Sequence, residues 1–261
     1  MTQQTVETSP HQIARTREMS PRVKARIAGF FELLEALTSG FGQVIVPGML
    51  VVSGDAAATA VHLLAHGLLF RLSIVAALIG VACHIAWTFL FYELFKPVNR
   101  SLSLFAAFVS LVAIALQAFS SLFQLAPLVV LEGGPSLSAF NVEQLRALAL
   151  LCLQLYSRAF DLYLVFFGFW CVLIGYLIVK STFMPRIIGV LEMVAGLCWL
   201  TFLWRPFAYF LYPYNQVLAG LSEISLMLWL LVMGVNAQRW KEQAGCADSA
   251  DPSDSSPRLH Q

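Results

Sequence analysis

The sequence predicts an all-α fold, a polytopic membrane bundle of six transmembrane helices within residues 21–241. Composition is the first reason, because 59% of the 261 residues are hydrophobic, only 12% are charged, and the mean hydropathy is +0.75. Soluble domains carry about 25% charged residues, so this chain lacks the polar surface that contact with water requires. The second reason is the recurrence of apolar runs of about 20 residues, the length of helix that crosses ~30 Å of hydrocarbon.

The first predicted span runs from about Ile27 to Val46, after a basic segment at residues 21–26. Asp55 then has the character of a helix N-cap, and the apolar stretch that follows it is too short and too mixed to cross the membrane. We therefore predict an interfacial pre-helix that leads into the second span, residues 72–92.

The third span lies within residues 101–131 and carries a polar stripe on an apolar background. The stripe has the spacing i, i+3, i+4, i+7 and consists of Gln117, Ser120, Ser121 and Gln124. Such a stripe is expected to face protein or a water-filled cavity rather than lipid. Asn141 is the next N-cap, and we predict a second interfacial pre-helix between it and Arg158, before the fourth span.

The clearest spans are the fourth and the fifth, which form a hairpin over residues 162–204. Two apolar runs, 162–179 and 187–204, are joined by a short turn that contains a lysine and an arginine. Short basic turns between spans remain in the cytoplasm, which orients the hairpin. The sixth span follows at about residues 217–235, after an aromatic loop suited to the level of the lipid headgroups.

The charge distribution predicts that both termini lie in the cytoplasm. With six spans and a cytoplasmic N-terminus, most of the 16 Lys and Arg residues fall on the inner side. The exceptions are Arg71, Arg146, Arg158 and Arg205. This asymmetry follows the positive-inside rule. Residues 1–20 and 242–261 are polar, and we predict that they form disordered cytoplasmic tails.

Ionisable side chains inside the predicted spans are candidate site residues, because each costs ~2.5–3.5 kcal/mol to insert and needs a partner or a cavity. An inner polar cluster is predicted in the cytoplasmic half and near the middle of the membrane. It consists of Glu32, Glu35, His84 and Glu192. Its three carboxylates would repel one another, so at least one is expected to be protonated or to share a proton. The cluster predicts a proton or cation site; the alternative is a set of neutral acids hydrogen-bonded between helices.

An outer polar cluster is predicted near the opposite side of the membrane. It consists of Arg71, Arg158, Asp161, Arg205 and Glu223. The arginines could grip a small anion or a lipid headgroup. The alternative, which we favour, is that the two acids form ion pairs with arginines that also bind lipid phosphate.

Several segments carry a resemblance to a known family. They are SPRVKARIAGF before the first span, VPG and GDAAATA after it, the turn KPVNR, and FFGF and GYLIVKSTFMPRIIGVL in the hairpin. Over about residues 20–237 the chain resembles a bacterial multi-pass membrane family known as domain of unknown function 4386. The resemblance implies an integral protein of the bacterial inner (plasma) membrane. It supplies no active site, because the motifs that match are turns and small-residue contacts.

No sequence motif indicates catalysis, a cofactor or a metal. The chain has no GxGxxG segment, no GxxxxGK phosphate loop and no GxSxG elbow. His62 and His66 share a helix face but lack further ligands. The net charge of +1 argues against nucleic acid as a partner. The expected partners are membrane lipid and a small-molecule or ion ligand.

The function predicted from these features is the binding or movement of a small solute, ion or lipid through a polar interior. Two alternatives stay open. One is a membrane-embedded enzyme that uses the carboxylates and the histidine of the inner polar cluster. The other is a non-catalytic membrane partner or regulatory protein. The oligomeric state is also left open.

Overall fold

The computed structural model describes residues 19–249 of the chain. Apart from a short 3₁₀ turn at Pro135–Leu137, its regular elements are eight helices, and no strand occurs in this range. They are α1 Pro21–Leu50, α2 Ala56–Ala65, α3 Gly67–Phe95, α4 Arg100–Glu132, α5 Val142–Lys180, α6 Arg186–Phe210, α7 Tyr214–Met233 and α8 Ala237–Ser249. Six of these, α1 and α3 to α7, are long and apolar enough to cross a membrane, which confirms the predicted all-α polytopic bundle.

Polar side chains start the helices at the positions that the sequence predicts. Asp55 accepts a hydrogen bond from the backbone N–H of Ala58 at 2.9 Å, which caps α2. Asn141 and Gln144 form a reciprocal capping box at the start of α5. The first N–H groups of a helix have no partner within it, so these side chains stabilise the point at which each helix begins.

The two predicted pre-helices have different structures. α2 is a separate helix, because the chain leaves helical geometry at His66, directly before Gly67. Residues 142–158, in contrast, continue without a break into the fourth span, so α5 is one helix of 39 residues. No Gly or Pro interrupts it before Gly168. At 1.5 Å per residue α5 is ~58 Å long, so its first part extends beyond the ~30 Å of hydrocarbon.

α1 continues past its predicted end at Val46 because the bundle satisfies the backbone groups around Pro47. A π-helical stretch, Gly40–Ile45, precedes this proline. Pro47 has no N–H to donate, so carbonyls one turn earlier need other donors. Gln124 donates to the carbonyl of Gly42 at 2.7 Å, and the Tyr156 hydroxyl donates to the carbonyl of Gln43 at 2.7 Å.

Glycines bring α5 and α6 into close contact and make the hairpin the tightest part of the bundle. Gly168 faces Gly196, and Gly175 faces Gly189, so the pairs repeat every seven residues on both helices. A Cβ atom added to Gly175 would stand 2.6 Å from the carbonyl oxygen of Gly189. Small residues at such crossings allow backbones to approach, which is how helices gain packing energy within lipid.

The core of the bundle lies between α3 and the hairpin and is largely aromatic. Trp87, Phe91 and Trp170 are fully buried, and their rings meet edge to face at centroid distances of 4.6 to 5.4 Å. α7 packs on α6, and near its end it meets α1, where a Cβ on Gly29 would stand 2.8 Å from the backbone nitrogen of Leu231.

The C-terminal segment differs in part from the predicted tail. Residues 242–249 belong to α8, where Gln243 accepts hydrogen bonds from Thr182 in the turn after α5. The indole of Trp240, on the same helix, donates to the carbonyl of Leu94 at 2.8 Å. These contacts hold α8 against the end of the bundle. The disorder predicted for residues 1–18 and 250–261 falls outside the described residues.

Candidate functional site

A cavity of about 740 Å³ lies between α1, α5, α6 and α7, with Trp87 of α3 in its wall. Four acidic side chains line it, and these are Glu32, Glu35, Asp161 and Glu223. Much of the remaining wall is aromatic, including Trp87, Phe160, Tyr163, Phe167, Trp199 and Phe202. Within the described part of the chain, no Lys, Arg or His side chain lines this space. We call it the acidic cavity.

Glu35 is the best-connected acid in the wall of the acidic cavity. Its Oε1 atom lies 3.1 Å from Nδ1 of His84, and the Trp87 indole donates to its Oε2 atom at 2.5 Å. The His84 ring stacks on Trp87 at a centroid distance of 4.3 Å. Both Glu35 and His84 are buried. The structure therefore brings together two of the four residues of the inner polar cluster in direct contact.

The polar stripe on α4 connects this pair to the other helices, and all four of its residues are buried. Gln117 lies at the centre, within 3.2 Å of His84, and donates to Gln43 on α1 at 3.3 Å. Gln124 reaches Gly42 and Ser73. A hydrogen-bonded network in a low-dielectric interior fixes how its helices pack.

The other two residues of the inner polar cluster take separate positions. Glu32 lines the acidic cavity, and its Oε2 atom has no hydrogen-bond partner among residues 19–249. Glu192 is 1% exposed and lies behind the wall, where its carboxyl meets the thiol of Cys171. Glu32 and Glu192 still interact electrostatically. The structure thus distributes the predicted cluster over a cavity and its surroundings.

The outer polar cluster does not form one group. Arg205 pairs with Asp161 at 3.1 Å, although this contact lacks hydrogen-bond geometry, and Arg71 pairs with the exposed Glu132. Glu223 lies with the inner acids in the acidic cavity, where the indole of Trp199 donates to it. It stands nine residues into α7, roughly 13.5 Å along the helix and close to its midpoint.

A second pocket of about 740 Å³ lies beside the acidic cavity. Arg158 and Arg205 line it, and Ser157 and Tyr209 belong to the walls of both spaces. Asp161 faces the acidic cavity, so the ion pair between Asp161 and Arg205 stands at the boundary between an acidic and a basic compartment. We call this second space the arginine pocket.

Metal-ligating side chains do not converge in the region the structure covers. No three His, Cys, Asp or Glu residues there could hold a metal ion together. Both ring nitrogens of His84 are already engaged, Nδ1 by Glu35 and Gln117 and Nε2 by Ser110 at 3.2 Å. The side chains of the acidic cavity can accept protons and hydrogen bonds and can attract cations.

Sequence reasoning missed the aromatic residues of the site. Trp87 follows His84 at i+3, a spacing that places both on one helix face, so a signal for it existed. Trp199 and Tyr163 carried no such signal, because they lie in runs where nearly every residue is apolar. Their roles depend on which helix they face.

Comparison with known proteins identifies one family. The model of the family described as Domain of unknown function (DUF4386) matches residues 27–234. All residues of the acidic cavity fall within that range. No curated protein and no solved structure matches the chain.

Proposed function

The chain belongs to the family described as Domain of unknown function (DUF4386), and we propose that it is an integral membrane protein that binds a small solute, ion or lipid in the acidic cavity. The observation that carries the proposal is the cavity itself. Its volume of about 740 Å³ lies within the range of about 300–1,000 Å³ that ligand pockets typically have. Its wall combines an apolar surface with a few polar groups, which is the usual composition of a binding site.

The energetics of the acids support binding rather than packing alone. An apolar bundle would be assembled at lower cost without ionisable groups, each of which costs ~2.5–3.5 kcal/mol to insert. Glu35 recovers part of that cost through His84 and Trp87. Glu32 does not, because one of its oxygens has no partner within residues 19–249. A ligand in the cavity would supply that partner.

Small residues leave the cavity open on one side. Gly40 and Gly48 on α1 and Gly220 on α7 line it, and within residues 19–249 no atom beyond each glycine's own stretch of helix lies within 4 Å of the position that a Cβ would take. Helices α1 and α7 therefore do not touch at these three positions. A ligand has a path to the acids through this gap.

The proposal is tested by closing the gap. We expect Gly220→Trp to fill the opening without a clash, because open space surrounds this position. Native mass spectrometry of the full chain purified in mild detergent should show a retained lipid or solute in the wild type and not in the variant. Gly67→Trp is the matched control, since Gly67 has equally open surroundings and does not line the cavity.

Two results would contradict the proposal. One is a retained molecule that Gly220→Trp leaves in place, which would put binding elsewhere. The other is a wild type that retains no molecule and that no compound stabilises through the cavity. In that case no compound in a library of solutes, ions and lipids would raise the unfolding temperature of the wild type more than that of Gly220→Trp. Specific ligands stabilise the folded state in proportion to the logarithm of their concentration, so binding in the cavity should be visible in this way.

We further propose that the protein lies in the bacterial inner membrane with both termini in the cytoplasm. The basic residues concentrated at one end of the predicted spans support this orientation. Lys24 and Lys96 at that end both contact Glu93, so the start of the first span and the end of the second lie on the same side of the bundle. Fusion of a fluorescent protein that folds only in the cytoplasm to the C-terminus should give fluorescent cells. An active periplasmic phosphatase at the same position would refute the orientation.

A further inference from the structure

We infer that the ligand of the acidic cavity is a lipophilic organic cation, and that it enters sideways from the bilayer between α1 and α7. The inference rests on the proposed function and adds to it the chemical class of the ligand and its route. Four observations support it, and they concern charge, aromatic walls, unpartnered polar atoms and the gap between two helices.

The charge of the cavity selects a cation. Glu32, Glu35 and Glu223 line its deeper part, and no basic side chain of the described residues lines it. The nearest guanidinium, that of Arg205, faces the arginine pocket and is paired with Asp161. An anion would meet three carboxyl groups without a basic side chain in the wall, whereas a cation would meet acceptors and would favour the ionised form of each carboxyl group.

The aromatic walls favour an organic cation over a metal ion. Trp87, Phe160, Tyr163, Trp199 and Phe202 line the cavity around the carboxyl groups. Aromatic faces attract ammonium-type cations and bury the apolar groups attached to them. A bare inorganic ion needs a shell of oxygen ligands instead, and a volume of about 740 Å³ is far larger than such a shell requires.

Two buried polar atoms in the wall have no partner among the described residues. They are Oε2 of Glu32, an acceptor, and Nε2 of Gln43, a donor on a side chain that is only 4% exposed. Unpartnered polar groups are costly in hydrocarbon, so a ligand that satisfies them gains affinity. The two residues lie eleven positions apart on α1, and both line the cavity. A cation in the cavity meets the free oxygen of Glu32, and an acceptor atom on a ligand would satisfy Nε2 of Gln43.

The gap between α1 and α7 faces lipid. The two helices meet at one end of the bundle, where Gly29 packs against Leu231. Farther along, the open positions Gly40 and Gly220 show that they no longer touch. The cavity residues Val44 and Ile224 are 58% and 47% exposed, so apolar side chains flank the gap. A hydrophobic ion already dissolved in the bilayer can pass between such side chains without crossing a polar surface.

The inference is tested with two ions of the same shape and opposite charge, tetraphenylphosphonium and tetraphenylborate. Binding of each is measured by equilibrium titration to the full chain in lipid nanodiscs, and uptake by protein-free nanodiscs is subtracted. We expect saturable binding of the cation alone. Glu32→Gln and Glu223→Gln should each weaken it by about tenfold or more, because each removes a carboxyl group whose negative charge attracts the cation in a desolvated site. Glu143→Gln is the charge-matched control, since Glu143 is exposed on α5 away from the cavity.

Two further variants test the role of the aromatic wall and the route between α1 and α7, and they do not depend on the glutamine variants. Phe202→Leu keeps an apolar wall and removes one ring. It should weaken the binding of tetraphenylphosphonium by a few-fold, while the unfolding temperature stays close to that of the wild type. Gly220→Trp should abolish saturable binding, and Gly67→Trp should leave it intact. These measurements remain informative if a glutamine variant fails to fold.

The outcomes are distinguishable. If tetraphenylborate binds as tightly as tetraphenylphosphonium and Gly220→Trp abolishes the binding of both, the ligand need not be a cation. The proposal that the cavity binds a ligand then stands. If tetraphenylphosphonium binds and Glu32→Gln, Phe202→Leu and Gly220→Trp all leave it unchanged, the ion occupies another surface and the inference is again wrong. If neither ion binds, native mass spectrometry finds no retained molecule and no library compound stabilises the wild type more than the Gly220→Trp variant, the proposed function itself fails.

Discussion

Oε1 of Glu35 lies 3.1 Å from Nδ1 of His84, and this contact joins α1 to α3 in the wall of the acidic cavity. Each of the two side chains is buried. The Trp87 indole occupies the second oxygen of the carboxyl at 2.5 Å. The pair therefore connects the wall of the acidic cavity to the packing of α1 against α3.

We expect Glu35→Gln and His84→Leu to be strongly coupled in their effect on stability. Glu35→Gln replaces the carboxyl group by an amide, a weaker acceptor, and His84→Leu removes the ring, so either change weakens or removes the contact, at a cost of about 1–3 kcal/mol. The double variant removes both members, so its loss should fall short of the sum of the single losses by about 1–3 kcal/mol. The measurement is reversible unfolding in mixed micelles for the four proteins of the cycle.

The control for this cycle combines Glu35→Gln with Glu132→Gln. Glu132 is exposed and pairs with Arg71, remote from His84. Its effect should add to that of Glu35→Gln within a few tenths of a kcal/mol. Additive losses for Glu35 and His84 themselves would show that the contact contributes nothing to the fold.

A second prediction concerns the carbonyl of Gln43, which the Tyr156 hydroxyl satisfies because Pro47 has no N–H. Tyr156→Phe should destabilise the protein by about 1–3 kcal/mol, since it leaves a buried acceptor without a donor. In a Pro47→Ala background the restored N–H can take the place of the hydroxyl. The loss of stability caused by Tyr156→Phe should then fall below about 0.5 kcal/mol. An equal cost in both backgrounds, measured by unfolding, would refute this account of the helix end.

A third prediction concerns the hairpin. Gly175→Ala would place a Cβ atom 2.6 Å from the carbonyl oxygen of Gly189, so α5 and α6 must separate. We expect a loss of about 1–3 kcal/mol, the usual cost of overpacking. Gly220→Ala on α7 is the matched control, because that position is open and alanine favours a helix over glycine by about 1 kcal/mol. A Gly175→Ala variant as stable as the Gly220→Ala control would contradict the close approach of the two helices.

Much of the fold could be predicted from the sequence, because hydrocarbon thickness sets the length of an apolar run independently of tertiary structure. The six spans and the caps at Asp55 and Asn141 depend on such local rules, and the structure confirms them. The continuity of α5 was not predicted. A polar residue such as Arg158 can end a span without ending a helix, and only the path of the backbone distinguishes the two.

The composition of the site could be predicted only in part. The sequence indicates the depth of each ionisable group, and depth alone assigned Glu223 to the outer polar cluster. Its true neighbours depend on how α7 is rotated about its own axis, which packing against Trp199 and α6 determines. Glu192 is a second example, because its side chain points to Cys171 and not into the cavity. The rotation of a helix about its axis is difficult to predict when every face of the helix is apolar, because no amphipathic pattern then marks the buried face.

The last prediction uses the boundary between the two compartments, where Arg205 on the arginine pocket side pairs with Asp161 on the acidic side. If the cavity binds a lipophilic cation, Arg205 repels that cation and also neutralises one of the acids. Arg205→Gln should therefore tighten tetraphenylphosphonium binding, by about threefold because the side chain is partly exposed and its field is screened. Arg71→Gln removes the same charge from a pair outside the cavity and should leave the affinity unchanged. Weaker or unchanged binding in Arg205→Gln would show that the guanidinium does not oppose a cation in the cavity, and it would contradict this prediction.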